Sequence, residues 1–412
     1  NGGQAIFRQY VEGPGYISTP GRGSVVVSAD QPMGAVAQVL ARGQNPTSSG
    51  AYSGFSGGDS SFYVPLAARK LNTAAGLANS QIFVQNTGDS NVSVNITLVG
   101  PTGTNTYIKT GITIAAGAAF MYDLAEESAT NVPDAWYGSA VVSVVGSGQI
   151  VVVSNFFTGD AMQTFNAFGG SAPGTKWYAP LFTSRLANTL STPIAVQNLS
   201  GASIPVGGIE VTCKPDPGLA GASPFTLTNV TAVENTAAYY FNPVTDMSIP
   251  AAWYGSCVIE SSANVVTFVQ MRFIATGEAA AYEGIKAGGT DHNVIIPLIA
   301  KRLGNGFATA VTIQNLSTSQ ATVDLTYYPS PDYTGSATPV SLQDLTIAPE
   351  ASLIQNQRVT SFTTLPDGWF GTLVVNSDQP VHAFVQLTFL RDVNPALPGG
   401  DNYMAHNAFT TP

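Results

Sequence analysis

The chain has 412 residues and a formal net charge of −10 at pH 7, with 10% of its residues charged and 44% hydrophobic. That is too long for one ordinary core and too apolar for a disordered chain, so about two to four packed domains are expected. The acidic balance excludes a basic footprint for nucleic acid or anionic lipid, and no stretch approaches the ~20 uninterrupted apolar residues of a membrane-spanning helix.

The first unit is legible only against the last. Gly23-Ser24-Val25-Val26-Val27 matches Gly371-Thr372-Leu373-Val374-Val375, Asp30-Gln31-Pro32 matches Asp378-Gln379-Pro380, and Gln38 matches Gln386, every pair 348 positions apart. Residues 1–57 therefore read as the second half of a repeat, carrying its last three strands. Its core Trp is missing, since Gly21-Arg22-Gly23 stands where the last repeat has Trp369-Phe370-Gly371.

Residues 58–171 form the first complete repeat. It opens on Val64-Pro65-Leu66 and Lys70-Leu71, passes through Val84-Gln85-Asn86, and reaches Trp136-Tyr137-Gly138. Residues 172–289 repeat this as Ala179-Pro180-Leu181, Arg185-Leu186, Val196-Gln197-Asn198 and Trp253-Tyr254-Gly255. Residues 290–412 repeat it again as Ile296-Pro297-Leu298, Arg302-Leu303, Ile313-Gln314-Asn315 and Trp369-Phe370-Gly371. The Trp steps are 117 and 116, and a period near 116 with its anchors in fixed order is the signature of a repeat architecture.

Within a repeat, β-branched runs such as Val92–Leu98, Gly111–Ile114 and Ile150–Val153 alternate apolar with polar and are separated by Gly and Pro turns. No segment combines an amphipathic stripe with helix start and stop signals. The expected fold is all-β: tandem antiparallel immunoglobulin-like β-sandwiches, three full repeats plus the amino-terminal half-repeat, with each Trp buried as a core anchor. Gly-rich, aromatic-tagged segments (Tyr52–Gly58, Phe165–Gly170, Tyr282–Ile285) read as connectors that pin neighbouring sandwiches together.

Motifs for chemistry fail. Gly54-Phe55-Ser56-Gly57-Gly58 has hydrolase-elbow spacing, but it sits in a connector instead of a strand-to-helix turn. His292, His382 and His406 fall at unrelated repeat positions, Glu126-Glu127 would point oppositely on extended chain, and Asp89, Asp367 and Asp401 make no Asp-rich loop. No catalytic residue, metal site or cofactor is expected. Cys213 and Cys257, confined to the middle repeat, are expected to pair as a disulfide between strands that face one another across its core. Asn-x-Ser/Thr sequons begin at Asn91, Asn95, Asn198, Asn229 and Asn315; the recurrent Asn198 and Asn315 also read as turn formers. The start at Asn1 fits a removed signal segment or an origin inside a longer precursor.

The Tyr-Val-Pro-Leu opening (Tyr63–Leu66), the Val-Gln-Asn strand and the Trp-Tyr-Gly strand resemble the tandem β-sandwich modules of secreted bacterial cell-surface and extracellular filament proteins. The resemblance implies an extracellular location and a structural role. Ile6, Phe7, Val25, Val27, Val36 and Val39 are expected to form an exposed assembly face, because half a sandwich cannot bury its inner side alone. The expected partner is a second copy, polymerising head-to-tail by strand addition. The tail Asn402–Pro412 of a neighbour, a neighbour's edge strand, or residues 1–22 folding back are the candidate complements. The alternative is a surface adhesin, stalk or S-layer-like protein binding carbohydrate or protein.

Overall fold

The structure, a computed structural model, describes Phe7 and residues 23–31, 33–41, 48–187, 189–289 and 291–410. Among the described residues there is no helix, and the strands form antiparallel sheets, none closed into a barrel.

In the first repeat one sheet runs Tyr107–Ile114, Val92–Val99, Trp136–Val145, Ser61–Arg69 in spatial order. The other runs Ala119–Asp123, Gly76–Asn86, Ile150–Thr158, Ala161–Asn166. The third repeat reproduces both orders. The second differs in one respect: Trp253–Phe273 is a single strand of 21 residues that serves both sheets. The first repeat breaks at this point on Gly146 and Gly148, both at positive φ, and the third on Pro380; Ser261-Ser262-Ala263-Asn264 offers neither breaker. The strand after the Trp strand crosses to the opposite sheet, and the opening strand takes the place beside the Trp strand that an immunoglobulin gives to its last strand.

The recurrent residues have local causes. Each opening strand bulges where its Pro-Leu pair falls, with register shifts at Val64/Ala67, Ala179/Phe182 and Ile296/Ile299. Proline has no N–H to give the ladder, so the strand kinks there and turns the Pro carbonyl outward. The Gly of each Trp-aromatic-Gly triplet lies against the neighbouring strand: a Cβ on Gly138, Gly255 or Gly371 would come within 2.0 Å of the carbonyl oxygen of Val99, Lys214 or Tyr328. Trp136, Trp253 and Trp369 are all buried, as expected. Asn86, Asn198 and Asn315 each give the side-chain amide to main-chain carbonyls of two separate turns.

The segments taken for connectors contain structure. Ala161–Asn166, Ala279–Glu283 and Tyr403–Asn407 are each the closing strand of their repeat. Beyond each closing strand, a two-residue strand (Phe168–Gly169, Ile285–Lys286, Phe409–Thr410) pairs back on the opening strand. The half-repeat holds two strands among the described residues, Val36–Ala41 and Ser48–Ser53, paired antiparallel. Its expected third strand is a correction: Ser24–Val27 runs without strand pairing.

Candidate functional site

The repeats do not extend as a string. The closing strands Ser48–Ser53, Ala161–Asn166, Ala279–Glu283 and Tyr403–Asn407 pack each against the next and the last against the first, so four units surround one axis. Ser53, Asn166, Glu283 and Asn407 occupy one repeat position and tie this hub together. Asn166 donates Nδ2 to the Ser53 carbonyl (2.7 Å) and its main-chain N–H to the Glu283 carboxylate (2.5 Å). Asn407 Nδ2 donates to the Glu283 carbonyl (2.8 Å), and Ser53 Oγ returns to the Asn407 carbonyl (2.8 Å).

Asp401 binds the hub from a second level. Its carboxylate accepts N–H groups from Met162 (2.8 Å), Ala279 (3.2 Å) and Tyr403 (3.2 Å), and its carbonyl accepts Ser49 Oγ (3.0 Å), so one buried residue touches all four units. Burial pushes the Asp401 carboxyl well above the usual range despite these donors, and pushes Glu283 up to about 7. Burial also pulls His406, beside Asn407, down to about 4. Gly50 has no alternative here, because a Cβ would meet Thr164 Oγ1 at 2.0 Å.

Around the hub, neighbouring units meet through one repeated joint. A hydroxyl on the Trp strand, or on the unpaired Gly23–Val27 segment that takes its place in the half-repeat, donates to the carbonyl of a positive-φ turn residue in the next unit: Ser24 to Gly117 (2.7 Å), Ser139 to Thr236 (2.5 Å), Ser256 to Glu350 (3.0 Å). The recurrent Gln reaches back the other way, Gln197 Nε2 to the Ala140 carbonyl (3.4 Å) and Gln314 Nε2 to that of Cys257 (3.3 Å). The outward Pro carbonyls also accept, Pro65 from Tyr240 Oη (3.1 Å) and Pro180 from Ser352 Oγ (2.8 Å). Phe55 meets Phe62, and Phe168 meets Trp177, edge to face at 5.9 and 5.6 Å.

The fourth joint is incomplete. Thr372 and Pro297 repeat the donor hydroxyl and outward carbonyl, yet Thr372 Oγ1 turns onto the Pro297 carbonyl of its own repeat (3.3 Å). Leu298 is half-buried where Leu66 and Leu181 are buried. On the other side of this sector Val36–Ala41 is paired along one edge only, among the described residues.

The expected assembly residues divide. Phe7, Val25, Val27 and Val39 are exposed, Val25 by 62%, while Val36 is half-buried against the core of the third repeat; Ile6 lies outside the described residues. The half-repeat is thus not an open inner face throughout. Its strand Ser48–Ser53 is spent on the hub, with Ser49 and Ala51 buried.

Cys213 and Cys257 form a disulfide, but they are directly cross-strand neighbours in one sheet, not partners across the core. Leu98–Ala140 and Tyr327–Leu373 hold the same position in the other repeats. Of the sequons, Asn91 is exposed and Asn95 half-buried on its strand. Asn198, Asn229 and Asn315 are fully buried with their amides engaged, which leaves them no room for a glycan in the folded chain. Ser56 sits in an exposed bend, and Glu127 is taken up by Lys109 at 2.9 Å. Among the described residues no cluster of three or more His, Cys, Asp or Glu is arranged for a metal. The hub residues were missed because Ser, Asn, Glu and Asn share no chemistry by type. Their signal was positional: each follows the aromatic or His near the end of its closing strand (Tyr52, Phe165, Tyr282, His406). Comparison with protein-family models and with curated proteins returned no match.

Proposed function

We propose that this chain is a structural subunit of an extracellular filament or pilus-like fibre, joined to its neighbours through the incomplete sector. The observation that carries the reading is the strand Val36–Ala41, paired along one edge only among the described residues, together with exposed Val25, Val26 and Val27 of the same half-repeat, in a molecule whose other three joints are made. Exposed apolar residues and an unpaired strand edge each favour strand addition from another chain. The recurrent polar side chains, Gln, Asn and Ser, are consumed by main-chain carbonyls, which suits a scaffold better than a catalyst. The disulfide agrees with an oxidising compartment.

The test is electron microscopy and light scattering of the native protein against Val25→Asp, Val27→Asp and Val39→Asp. These exposed positions leave the hub untouched, so the variants should keep the wild-type melting temperature and lose assembly. Fibres of unchanged length and number in all three would remove the incomplete sector as the joint. Deleting residues 1–57 is a poorer test, since it strips Ser48–Ser53 out of the hub.

A further inference from the structure

We infer that the half-repeat is an exchangeable arm, which leaves the ring of its own chain and completes the ring of a second copy. The inference rests on the reading of this sector as the fibre joint and names the element that passes between chains. Its support lies in the contacts that hold the half-repeat and in the segment that tethers it.

The three full repeats each bury a Trp in a core of their own, whereas the half-repeat is held by docking. Ala51 is buried in the core of the third repeat, and Val36 and Leu40 pack against that same core. Gly34 lies on the Phe409 ring, where a Cβ would come within 2.6 Å of two ring carbons. Ser49 and Ser53 donate to the carbonyls of Asp401 and Asn407 (3.0 and 2.8 Å). On the other flank Ser48 Oγ donates to the Asp160 carbonyl (2.6 Å), and the Ser53 N–H to Asn166 Oδ1 (3.2 Å). The third repeat, at the other end of the ring, is tied more firmly to its neighbour. Lys176 and Lys214 hold Glu350, Tyr178 Oη donates to the Leu316 carbonyl (2.7 Å), and the Tyr282 and Phe384 rings stack at 4.2 Å. Detaching the half-repeat therefore uncovers less apolar surface than detaching a sandwich, and the ring parts there first.

The tether is Gly54-Phe55-Ser56-Gly57-Gly58, between the closing strand Ser48–Ser53 and the first repeat. Gly54, Ser56 and Gly57 are exposed, so the segment can change course without unpacking a core. Fully extended from Ser53 to Asp59 it reaches about 20 Å. That span leads the arm into a ring stacked on its own hub and to no molecule farther away. A second copy offers the arm the same surfaces, because both flanks of its place are built from residues of this chain. Closure within a chain and closure between chains thus make the same contacts. In dilute solution the tether keeps the arm at home, and at high concentration mass action favours the neighbour. Each chain gives one arm and receives one, a head-to-tail contact that propagates.

The experiment marks both sides of the closure with Ser53→Cys and Asn407→Cys in one full-length chain. Light and heavy-nitrogen forms are mixed equally and unfolded in acidic denaturant, which suppresses the thiolate and spares the Cys213–Cys257 bridge. They are refolded at low or high protein concentration, joined by a short bis-maleimide, and the linked peptides are weighed. Monomers from dilute refolding should give same-label pairs only. Oligomers from concentrated refolding should give about half of their pairs as light with heavy, the result of random exchange between equal pools. A second variant, Lys176→Cys with Glu350→Cys, spans the contact of the second and third repeats and should stay same-label at both concentrations. Oligomers with same-label pairs alone, or no oligomers at high concentration, overturn the inference. So do mixed pairs in the second variant, since the third repeat is then the element exchanged. Exchange and fibre formation separate cleanly. Mixed oligomers with no fibres from the native protein keep the arm and remove the fibre; native fibres whose links stay same-label do the reverse.

Discussion

The joint between the first and second repeats and the joint between the second and third make the same main-chain contacts with different side chains. Both place a Trp-strand serine on a positive-φ turn carbonyl and a Gln amide on the carbonyl that follows that serine. Beyond that shared frame they part. The first adds the Tyr240 hydroxyl, shared between the carbonyls of Pro65 and Gly138, and a Tyr137–Tyr240 ring contact at 6.1 Å. The second adds Glu350 clamped by Lys176 (2.9 Å) and Lys214 (3.0 Å). The geometry is carried by groups the backbone supplies, so the side chains around it are free to be aromatic in one joint and ionic in the other.

The largest effect should come from the element both joints share. Replacing Cys213 and Cys257 together by Ala opens a loop whose ends are 44 residues apart in sequence. Loop-closure entropy puts that loss at about 4 kcal/mol. The Cys257 carbonyl also receives Gln314, and the repeat that contains it contributes to both joints. Denaturant unfolding should therefore show the two joints loosening together. If only the second responds, the middle repeat is not the common support this comparison makes it.

The next effect should be matched across the joints. Gln197→Ala and Gln314→Ala each remove one donor from two main-chain carbonyls that keep their serine or strand partners, a cost of about 1 kcal/mol apiece. Equal shifts in thermal midpoint support a shared frame; a twofold difference would mean that the surrounding aromatic or ionic contacts carry one of the joints.

Side-chain contacts particular to one joint rank no higher than these. Tyr240→Phe should cost about 1 kcal/mol and be indifferent to salt, while Glu350→Gln should cost about as much in low salt and little at high ionic strength. Melting curves of both variants at low and high salt check this directly.

How far the sequence carries an argument varies along these same joints. The period, the buried Trp and the tight Gly were readable because each recurs by type and has one physical cause. Pro65, Pro180 and Pro297 were readable as anchors but not as bulges, since pairing register is invisible in one sequence. Ring closure was not readable at all. The hub is held by side chains that vary, bonded to main-chain groups that no sequence displays, and Asp401 in particular drew notice only as an acid beside glycines that belongs to no Asp-rich loop. The half-repeat was recognised by its 348-residue offset, yet that offset says nothing about whether its strands face solvent or an axis.

The smallest predicted effect separates the hub from the second joint by pH. Burial raises Glu283 to about 7 from an ordinary 4.5, so the folded hub prefers the protonated acid. That preference contributes in full below about pH 4.5 and is lost as pH rises through about 7. Glu350 goes the other way. Its two lysines hold it below the ordinary value against the opposing effect of burial, so its contribution is present above about pH 4.5 and lost as pH falls further. Between about pH 7 and 4.5 protonation of Glu283 should tighten its own contacts in the hub, opposed there by buried His406, whose depressed value makes its protonation cost folding. Below that range protonation of Glu350 should loosen the second joint. The half-buried position of Glu283 limits the first change to about 2 °C in melting temperature. Exchange of the Asn166 amide, which donates to the Glu283 carboxylate, reports the hub without interference from the joint. Glu283→Gln should hold that amide at its acidic exchange rate across pH 5–8, after correction for the intrinsic rate. A variant that keeps the wild-type pH dependence would place the titrating group elsewhere, with Asp401 the first to be replaced by Asn.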